Sequence, residues 1–229
     1  GANALDANTT ASNNIGIGLN ALGVNTTGTA NTAIGTNSLQ DNTTGDHNLG
    51  VGLQTLRETT TGSYNIALGS NALLLNDSGS SNTAIGYEAL YNTTASNNVG
   101  IGYQALKTNT SGTDNTALGR SSLTSNTTGD NNTGIGRQAL ASNTSATNNT
   151  GIGYEALRAN TEGGNNTAVG YSALRDNTTG DNNVGLGYGA LGDNTTADHN
   201  TAVGYESLRL NTTGTFNVAL GSYALNGNT

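Results

Sequence analysis

The sequence predicts an all-β fold, a parallel β-solenoid (β-roll) of about 13.5 coils with two short strands in each coil. Three observations lead to this fold class. A motif of Asn, any residue, a small residue, an aliphatic residue and Gly recurs with a period of seventeen. Bulky and small side chains alternate inside it, and a polar stretch, Asn-Thr-Thr-Gly or a near relative, follows near the end of the repeat. We expect residues 1–229 to form a single repeat array, in phase at both ends, with one residue missing near Tyr91.

The composition excludes an ordinary globular enzyme. The chain has 34 Gly and no Pro, Cys, Met or Trp, and Gly together with 37 Asn and 38 Thr fills nearly half of it. Without cysteine there is no disulfide, thiol nucleophile or thiolate metal site. A formal net charge of −8 offers no basic surface for nucleic acid, and no apolar run is long enough to embed the chain in a membrane.

The first strand is predicted at positions 2 to 6 of the repeat, counting its Asn as position 1. A β-branched or aliphatic residue, then Ala or Gly, then an aliphatic residue and Gly alternate there with a period of two. The invariant Gly at position 5 and the β-branched residues would each disfavour a helix, Gly by roughly 0.5 kcal/mol or more.

A bend near positions 6 to 8, a second short strand and a turn are expected to complete each coil. Position 9 is Leu in every copy, and it follows Ala, Ser or Thr. Positions 12 to 15 predict an exposed polar turn, because Asn and Thr bond to nearby backbone and Gly accepts positive φ. One such coil cannot bury its apolar side chains alone. Stacked coils can, because each coil pairs its backbone with the next at a spacing of about 4.8 Å.

The aliphatic side chains at positions 4 and 9 are expected to fill the core from opposite faces. Two large aliphatic residues per coil fall short of the entropic cost of ordering a whole coil, so hydrogen bonds between coils must contribute. The expected core residues are Ile17, Ile34, Val51 and Leu68 on one inner face and Leu22, Leu39, Leu56 and Leu73 on the other.

The Asn at position 1 is expected to form a buried or half-buried structural ladder, in which stacked amides donate to and accept from one another. A row of ligand-binding amides is the functional alternative. The ladder residues are Asn14, Asn31, Asn48, Asn65, Asn82, Asn98, Asn115, Asn132, Asn149, Asn166, Asn183, Asn200 and Asn217.

The small residues at positions 3 and 5 have two explanations. They form a flat strip suited to close approach of another backbone, or they permit a tight bend within one chain. The sequence favours neither.

The repeated Asn-Thr-Ala-Ile-Gly, at residues 31–35 and 82–86, resembles the short repeats of YadA-like heads in trimeric autotransporter adhesins. The longer Asn-Thr-Ala-Ile-Gly-Tyr-Glu-Ala-Leu at residues 82–90 is similar to NTAIGY-type repeats of bacterial surface and phage tail-fibre-like proteins. The resemblance covers essentially the whole chain. It implies left-handed coils, trimerisation and adhesion.

No arrangement of side chains predicts catalysis, and we expect no enzyme activity, no cofactor and no metal site. His47 and His199 lie nine coils apart, and the acids fall mostly in variable positions of the repeat. Asp181 and Asp198 are stacked neighbours at position 16, where a loosely held cation and solvated repulsion are the alternatives.

Charged and aromatic columns mark the variable surface. Glu155 with Arg158 or Arg175, and Glu206 with Arg209, are expected to form surface ion pairs. Tyrosines at position 6 form a stripe that contacts sugar or another subunit, or whose rings stack on one another. The tyrosines are Tyr87, Tyr103, Tyr154, Tyr171, Tyr188 and Tyr205.

The Asn at position 12 begins an Asn-x-Ser/Thr sequon in many copies. These residues are candidate glycan acceptors because the turn is expected to be exposed, although turn geometry alone also selects Asn-Thr-Thr. The candidates are Asn8, Asn25, Asn42, Asn126, Asn177, Asn194 and Asn211.

Uniform repetition without a singular site predicts a structural repeat segment of an extracellular fibre, shaft or adhesin stalk that provides length, rigidity and surface display. We expect it on a cell surface or a virion-surface fibre, self-associated as a homotrimer or an end-to-end polymer, with a host surface or glycan as a further partner. The alternative is a ligand-binding solenoid whose repetitive face binds ice or carbohydrate. Adjacent threonines such as Thr26 and Thr27 point to opposite sides of the turn, which disfavours a flat threonine row.

Overall fold

The computed structural model describes residues 1–228, which form two compact units, Gly1–Asp114 and the part of the chain from Asn115 onward. Across these residues the regular elements are strands of three residues, and no helix occurs. The first unit contains β1 (Ile15–Ile17), β2 (Thr32–Ile34), β3 (Leu49–Val51), β4 (Ile66–Leu68), β5 (Thr83–Ile85) and β6 (Val99–Ile101). The second contains β7 (Thr116–Leu118), β8 (Thr133–Ile135), β9 (Thr150–Ile152), β10 (Thr167–Val169), β11 (Val184–Leu186), β12 (Thr201–Val203) and β13 (Val218–Leu220).

Successive strands within each unit pair in parallel. Ile15 lies beside Thr32, its equivalent in the next copy of the repeat, and the same register links Thr150 to Thr167 in the second unit. The ladder extends beyond the strands, since the backbone N–H of Thr32 donates to the carbonyl of Asn48 at 2.8 Å. The predicted parallel β-solenoid, with one coil per copy of the repeat, is therefore confirmed in each unit.

The prediction of a second strand around position 9 is wrong. Residues at positions 7 and 9 have positive φ, as at Asn37 (57°) and Leu39 (50°), so the segment coils tightly instead of extending. An L-residue in this left-handed region costs roughly 1–2 kcal/mol. The tight turn nevertheless keeps the coils bonded, because the N–H of Leu39 donates to the carbonyl of Thr55 at 2.9 Å.

The leucines at position 9 fill the core as predicted. Leu22, Leu39, Leu56 and Leu73 are each 0% exposed. The invariance of Leu follows from this burial, since each side chain occupies the same interior space in its own coil.

The prediction that position 4 also lines the core is wrong. Ile17 and Ile34 are 57% and 38% exposed, and Val51 and Leu68 are half-buried on the same outer face. The small residue at position 3 points inward instead, as Ala33 does at 0% exposure. The interior leaves no room for more, because a Cβ on Gly50 would already lie 2.6 Å from Oγ of Ser38.

Close approach between coils of the same chain explains the glycines at position 5. The φ of Gly136 is +127°, and a Cβ there would lie 2.4 Å from the carbonyl oxygen of Gly153 in the next coil. Gly35 is in the same situation, with a φ of +137° and the carbonyl of Gly52 as its neighbour. The glycines at position 5 therefore serve both a bend with positive φ and the close approach of a neighbouring coil of the same chain.

The short coil, residues 82–97, leaves the strands in register, since Thr83 of β5 pairs with Ile66 of β4 and with Val99 of β6. The structure places the missing residue later than Tyr91. Thr93 is 0% exposed and occupies the buried position 12, where it accepts a hydrogen bond from Nδ2 of Asn109 at 3.1 Å. The gap therefore falls in the turn after Thr93, because the interior site has to be filled while the outer turn can shorten.

Candidate functional site

The asparagines at position 1 are buried, or half-buried at Asn14 and Asn217, as predicted, but they bond mainly to backbone. Nδ2 of Asn149 donates to the carbonyl of Gly163 in its own coil at 2.8 Å, and its Oδ1 accepts the backbone N–H of Asn166 in the next coil at 2.9 Å. Amide-to-amide bonds occur only locally in this column of described residues, as from Asn65 to Asn48 at 3.1 Å. The expected ladder exists, but it joins side chains to backbone.

The amide-to-amide ladder lies instead at position 12. Nδ2 of Asn160 donates to Oδ1 of Asn143 at 3.0 Å, and Oδ1 of Asn160 accepts from Nδ2 of Asn177 at 2.9 Å. Nδ2 of Asn160 also donates to the carbonyl of Gly163 at 2.9 Å. Because Gly163 accepts from both asparagine columns, one carbonyl per coil ties the two columns together.

Burial contradicts the glycan candidates in the folded chain. The expectation that position 12 is an exposed turn is wrong, because its side chains face the interior and their Nδ2 atoms already donate two hydrogen bonds in most coils. A glycan on Nδ2 would displace those bonds and would not fit. The residues that are 0% exposed are Asn25, Asn42, Asn126, Asn177, Asn194 and Asn211, while Asn8 is half-buried.

The outer face of each sheet carries the side chains at positions 2 and 4, which we call the sheet strip. Position 4 is always Ile, Val or Leu, and position 2 is Thr, Val, Ile or Leu. Leu118 and Val169 in the second unit are 43% and 38% exposed. No charged residue occurs at positions 1 to 5 in any coil from residue 14 onward, so the strip is an uncharged, largely apolar surface on a chain of net charge −8.

The tyrosines at position 6 stack along the axis of the coils. Ring centroids lie 4.9 Å apart for Tyr154 and Tyr171, and 5.1 Å apart for Tyr171 and Tyr188. A hydrogen bond to Glu155 raises the pKa of Tyr154, because loss of the phenol proton would break that bond. Stacking, one of the alternatives in the sequence, is confirmed, while contact with sugar or a subunit stays a prediction.

Both expected ion pairs form, and Glu155 pairs with Arg158, one of its two candidate partners. Arg209 Nη1 lies 2.7 Å from Oε1 of Glu206, and Arg158 Nη1 lies 4.0 Å from Oε2 of Glu155. Arg175 instead forms a two-point pair with its neighbour Asp176 at 2.8 and 2.6 Å.

The aspartates at position 16 are bonded to backbone. Asp198 Oδ1 accepts the N–H of Asp181 at 2.7 Å, and Asp181 Oδ1 accepts the N–H of Gly164 at 2.6 Å. Within residues 1–228, no three His, Cys, Asp or Glu side chains come together as a metal site would require. The two histidines stack separately, His47 on Tyr64 and His199 on Phe216.

Sequence reasoning missed a surface notch in the second unit. It has a volume of about 190 Å³ and lies among Tyr171, Arg175, Tyr188, Gly189, Gly192 and Arg209. A signal for it was present, since the coil of residues 183–199 is the only one with Gly at both positions 7 and 10.

Comparison with protein-family models, with curated proteins and with solved structures finds no match to this chain. In the described part of the chain, no apolar helix reaches the length needed to cross a bilayer. Its own geometry therefore defines the site: each unit is a repetitive β-solenoid with an uncharged sheet strip, and the second unit carries the notch.

Proposed function

We propose that the chain is a structural repeat segment of an extracellular fibre, shaft or adhesin stalk, and that copies of the chain associate laterally through the sheet strip. The sheet strip carries this proposal. Contiguous exposed apolar surface on a soluble protein usually marks an interaction site. Here an aliphatic residue recurs at position 4 of successive coils, exposed at Ile17, Ile34 and Leu118 (38–57%) and half-buried in most of the other coils.

A second copy of the chain is the occupant that matches the strip best. Its side chains would repeat at the same spacing of about 4.8 Å, so ridges and grooves of two strips stay in step over many coils. Two sheets packed face to face stand about 10 Å apart, which suits one layer of aliphatic and threonine side chains from each. The net charge of −8 does not oppose this contact, because the charged residues lie outside positions 1 to 5.

The resemblance to YadA-like heads supports the surface location and the self-association. The hydrogen-bond pattern supports a mechanical role, since amide and carbonyl groups of each coil are engaged by the next. The backbone N–H of Asn166, for example, donates to Oδ1 of Asn149 in the preceding coil, while its side chain donates to the carbonyl of Gly180 in its own coil.

Multi-angle light scattering on the purified chain tests the proposal, together with electron microscopy of the native assembly. We expect a molar mass that is a multiple of 22.9 kDa and elongated particles. The double variant Leu118→Glu, Val169→Glu places charge on the strip without touching the buried leucines, and we expect it to be monomeric.

The matched control is Thr128→Glu with Thr179→Glu. It adds the same charge at position 14, an exposed turn position where Glu162 already occurs naturally, and should assemble normally. A mass of 22.9 kDa at every concentration, compact particles, or a strip variant that assembles like the parent would overturn the proposal.

One observation favours ice binding as a second candidate. The threonines that could match the ice lattice are those at position 2 and not those of the turn. In consecutive strands they lie beside the aliphatic residues of position 4, as at Thr116, Thr133, Thr150 and Thr167. A thermal-hysteresis measurement at micromolar protein decides between the candidates. A clear difference between the melting and freezing temperatures would place ice binding first. Without such a difference, self-association remains the proposed function of the sheet strip.

A further inference from the structure

Coil 183–199 lacks side chains where its neighbours carry polar ones. The fold requires no glycine at position 7, because Ser172 and Glu206 hold the same position with φ of 52° and 49°, close to 59° at Gly189. The nearest atom to a Cβ on Gly189 would be Cγ of Glu206 at 3.5 Å, an ordinary contact. The two glycines therefore leave an open notch that any polar residue of the other coils would partly fill.

Two arginines, one from each adjacent coil, line this notch. Arg175 is held by both oxygens of Asp176, and its Nη2 lies 3.5 Å from Oδ1 of Asp193. Arg209 is held by Glu206, and its Nε lies 4.0 Å from Oδ2 of Asp193. A guanidinium has five N–H donors in a fixed plane, so each head retains donors beyond these contacts while its orientation is already set.

Tyr171 and Tyr188 border the notch. Their rings are parallel to within 5°. Tyr171 is 48% exposed and Tyr188 is 45% exposed. Stacking covers the inner ring faces, so the pair presents ring edges and hydroxyl groups to a ligand. Each hydroxyl can donate and accept a hydrogen bond.

The charges that line the notch balance. The carboxylates of Glu155 and Asp193 oppose the guanidinium groups of Arg175 and Arg209. Asp176 and Glu206 pair with the same two arginines, so an anion would find no unpaired positive charge in the notch and would in addition meet a chain of net charge −8. A neutral ligand that offers donors and acceptors side by side would engage both kinds of group.

We propose that this notch binds one ring of a neutral saccharide, with the planar groups of Arg175, Arg209 and Asp193 hydrogen-bonded to adjacent sugar hydroxyls and the Tyr171–Tyr188 pair against its edge. The volume of about 190 Å³ suits a single sugar ring and is below that of a typical drug-sized pocket. The notch lies outside the sheet strip, so the proposal is independent of self-association.

The test is binding of the whole chain to an array of neutral oligosaccharides built from hexose and N-acetylhexosamine units, with oligosaccharides ending in a uronic or sialic acid on the same array. We expect binding to neutral members only. Gly189→Gln fills the notch with the residue that position 7 carries at Gln104 and Gln138. It should raise the dissociation constant for the best neutral oligosaccharide at least tenfold.

Ser121→Gln, the matched control, makes the equivalent change at position 7 of another coil of the second unit and should bind like the parent. Far-ultraviolet circular dichroism and the melting temperature confirm that both variants fold. The proposal is overturned if no neutral oligosaccharide binds, if the acid-terminated ones bind best, or if folded Gly189→Gln binds like the parent.

Discussion

The side-chain amide of Asn42 donates from Nδ2 to Oδ1 of Asn25 at 2.7 Å. In residues 1–228, however, no donor reaches Oδ1 of Asn42 itself. The next coil has Thr59 at position 12, and Oγ1 of Thr59 is likewise buried without a partner. The amide ladder of the first unit is therefore interrupted at Thr59.

Thr59→Asn should repair the interruption and stabilise the chain. The new amide can donate to Oδ1 of Asn42 and to the carbonyl of Gly62, as its equivalents do in other coils. A buried polar atom without a partner costs about 1–3 kcal/mol, so we expect a gain in the free energy of unfolding of about that size, measured by urea denaturation. Thr61→Asn, at an exposed position of the same coil, should change stability by less than about 0.5 kcal/mol. Equal effects of the two changes would contradict the ladder.

Asn160→Asp should break the ladder in the second unit. The carboxylate cannot donate to Asn143 or to the carbonyl of Gly163, and it places a charge in a site that is 0% exposed. We expect a loss of at least about 2 kcal/mol in the free energy of unfolding, seen as a lower urea midpoint. Asn165→Asp is the control, because Asn165 is exposed in the same coil and Asp tolerates its positive φ. A midpoint that is equally low for both variants would sink this prediction.

Gly136→Ala should destabilise the chain strongly. The new Cβ would lie 2.4 Å from the carbonyl oxygen of Gly153, and the φ of +127° disfavours any side chain. Overpacking and left-handed strain together predict a loss of about 3 kcal/mol or more. Gly164→Ala should be mild, since its Cβ would approach Thr147 no closer than 3.3 Å. Thermal unfolding followed by circular dichroism checks both, and a Gly136→Ala chain as stable as Gly164→Ala would refute the close approach.

The pair of Glu88 and Lys107 makes stability depend on pH. Nζ of Lys107 lies 2.7 Å from Oε2 of Glu88, and this hydrogen bond lowers the pKa of Glu88 below its ordinary 4.5. The stabilisation is therefore present above pH 4.5 and is lost as the pH falls through the lowered pKa. Lys107→Met should cost at most about 1 kcal/mol at pH 7, and this cost should shrink as the pH is lowered below 4.5, measured by urea denaturation at each pH. A difference between the two proteins that does not shrink in acid would contradict the pairing.

The period of the repeat and the burial of Leu at position 9 followed from the sequence, because a repeated chain aligns with itself. The interior assignment of Ile17 and Ile34 failed for a physical reason. The alternation correctly separates two faces, but it does not state which face is inside, and hydrophobicity alone assigns the larger aliphatic side chains to the interior. In a coil this narrow the interior holds one Leu, two asparagines and small residues. The side chain of Ala33 therefore points inward and that of Ile34 points outward.

The prediction that position 12 lies in an exposed turn failed for a similar reason. Asn-Thr-Thr-Gly has the composition of an exposed turn, and a sequence pattern does not distinguish an amide that caps a turn from outside from one that points inward. Asn25 donates to the carbonyl of Gly28 within its own turn, as the turn pattern predicts. Its second hydrogen bond, to Asn8, depends on a neighbouring coil and cannot be predicted from the local sequence. The notch at Gly189 was visible only as two coinciding glycines, whose meaning depends on the arginines of adjacent coils.

The coil of residues 82–97 has one residue fewer than the others, yet its strand stays paired on both sides. Length can therefore change in the segment after Thr93 while the repeat on either side is unaffected. Insertions and deletions during evolution should collect at this turn and be excluded from the strand and the Leu segment. The same turn is the place to graft a foreign peptide for display, one copy per coil at a fixed spacing along the solenoid.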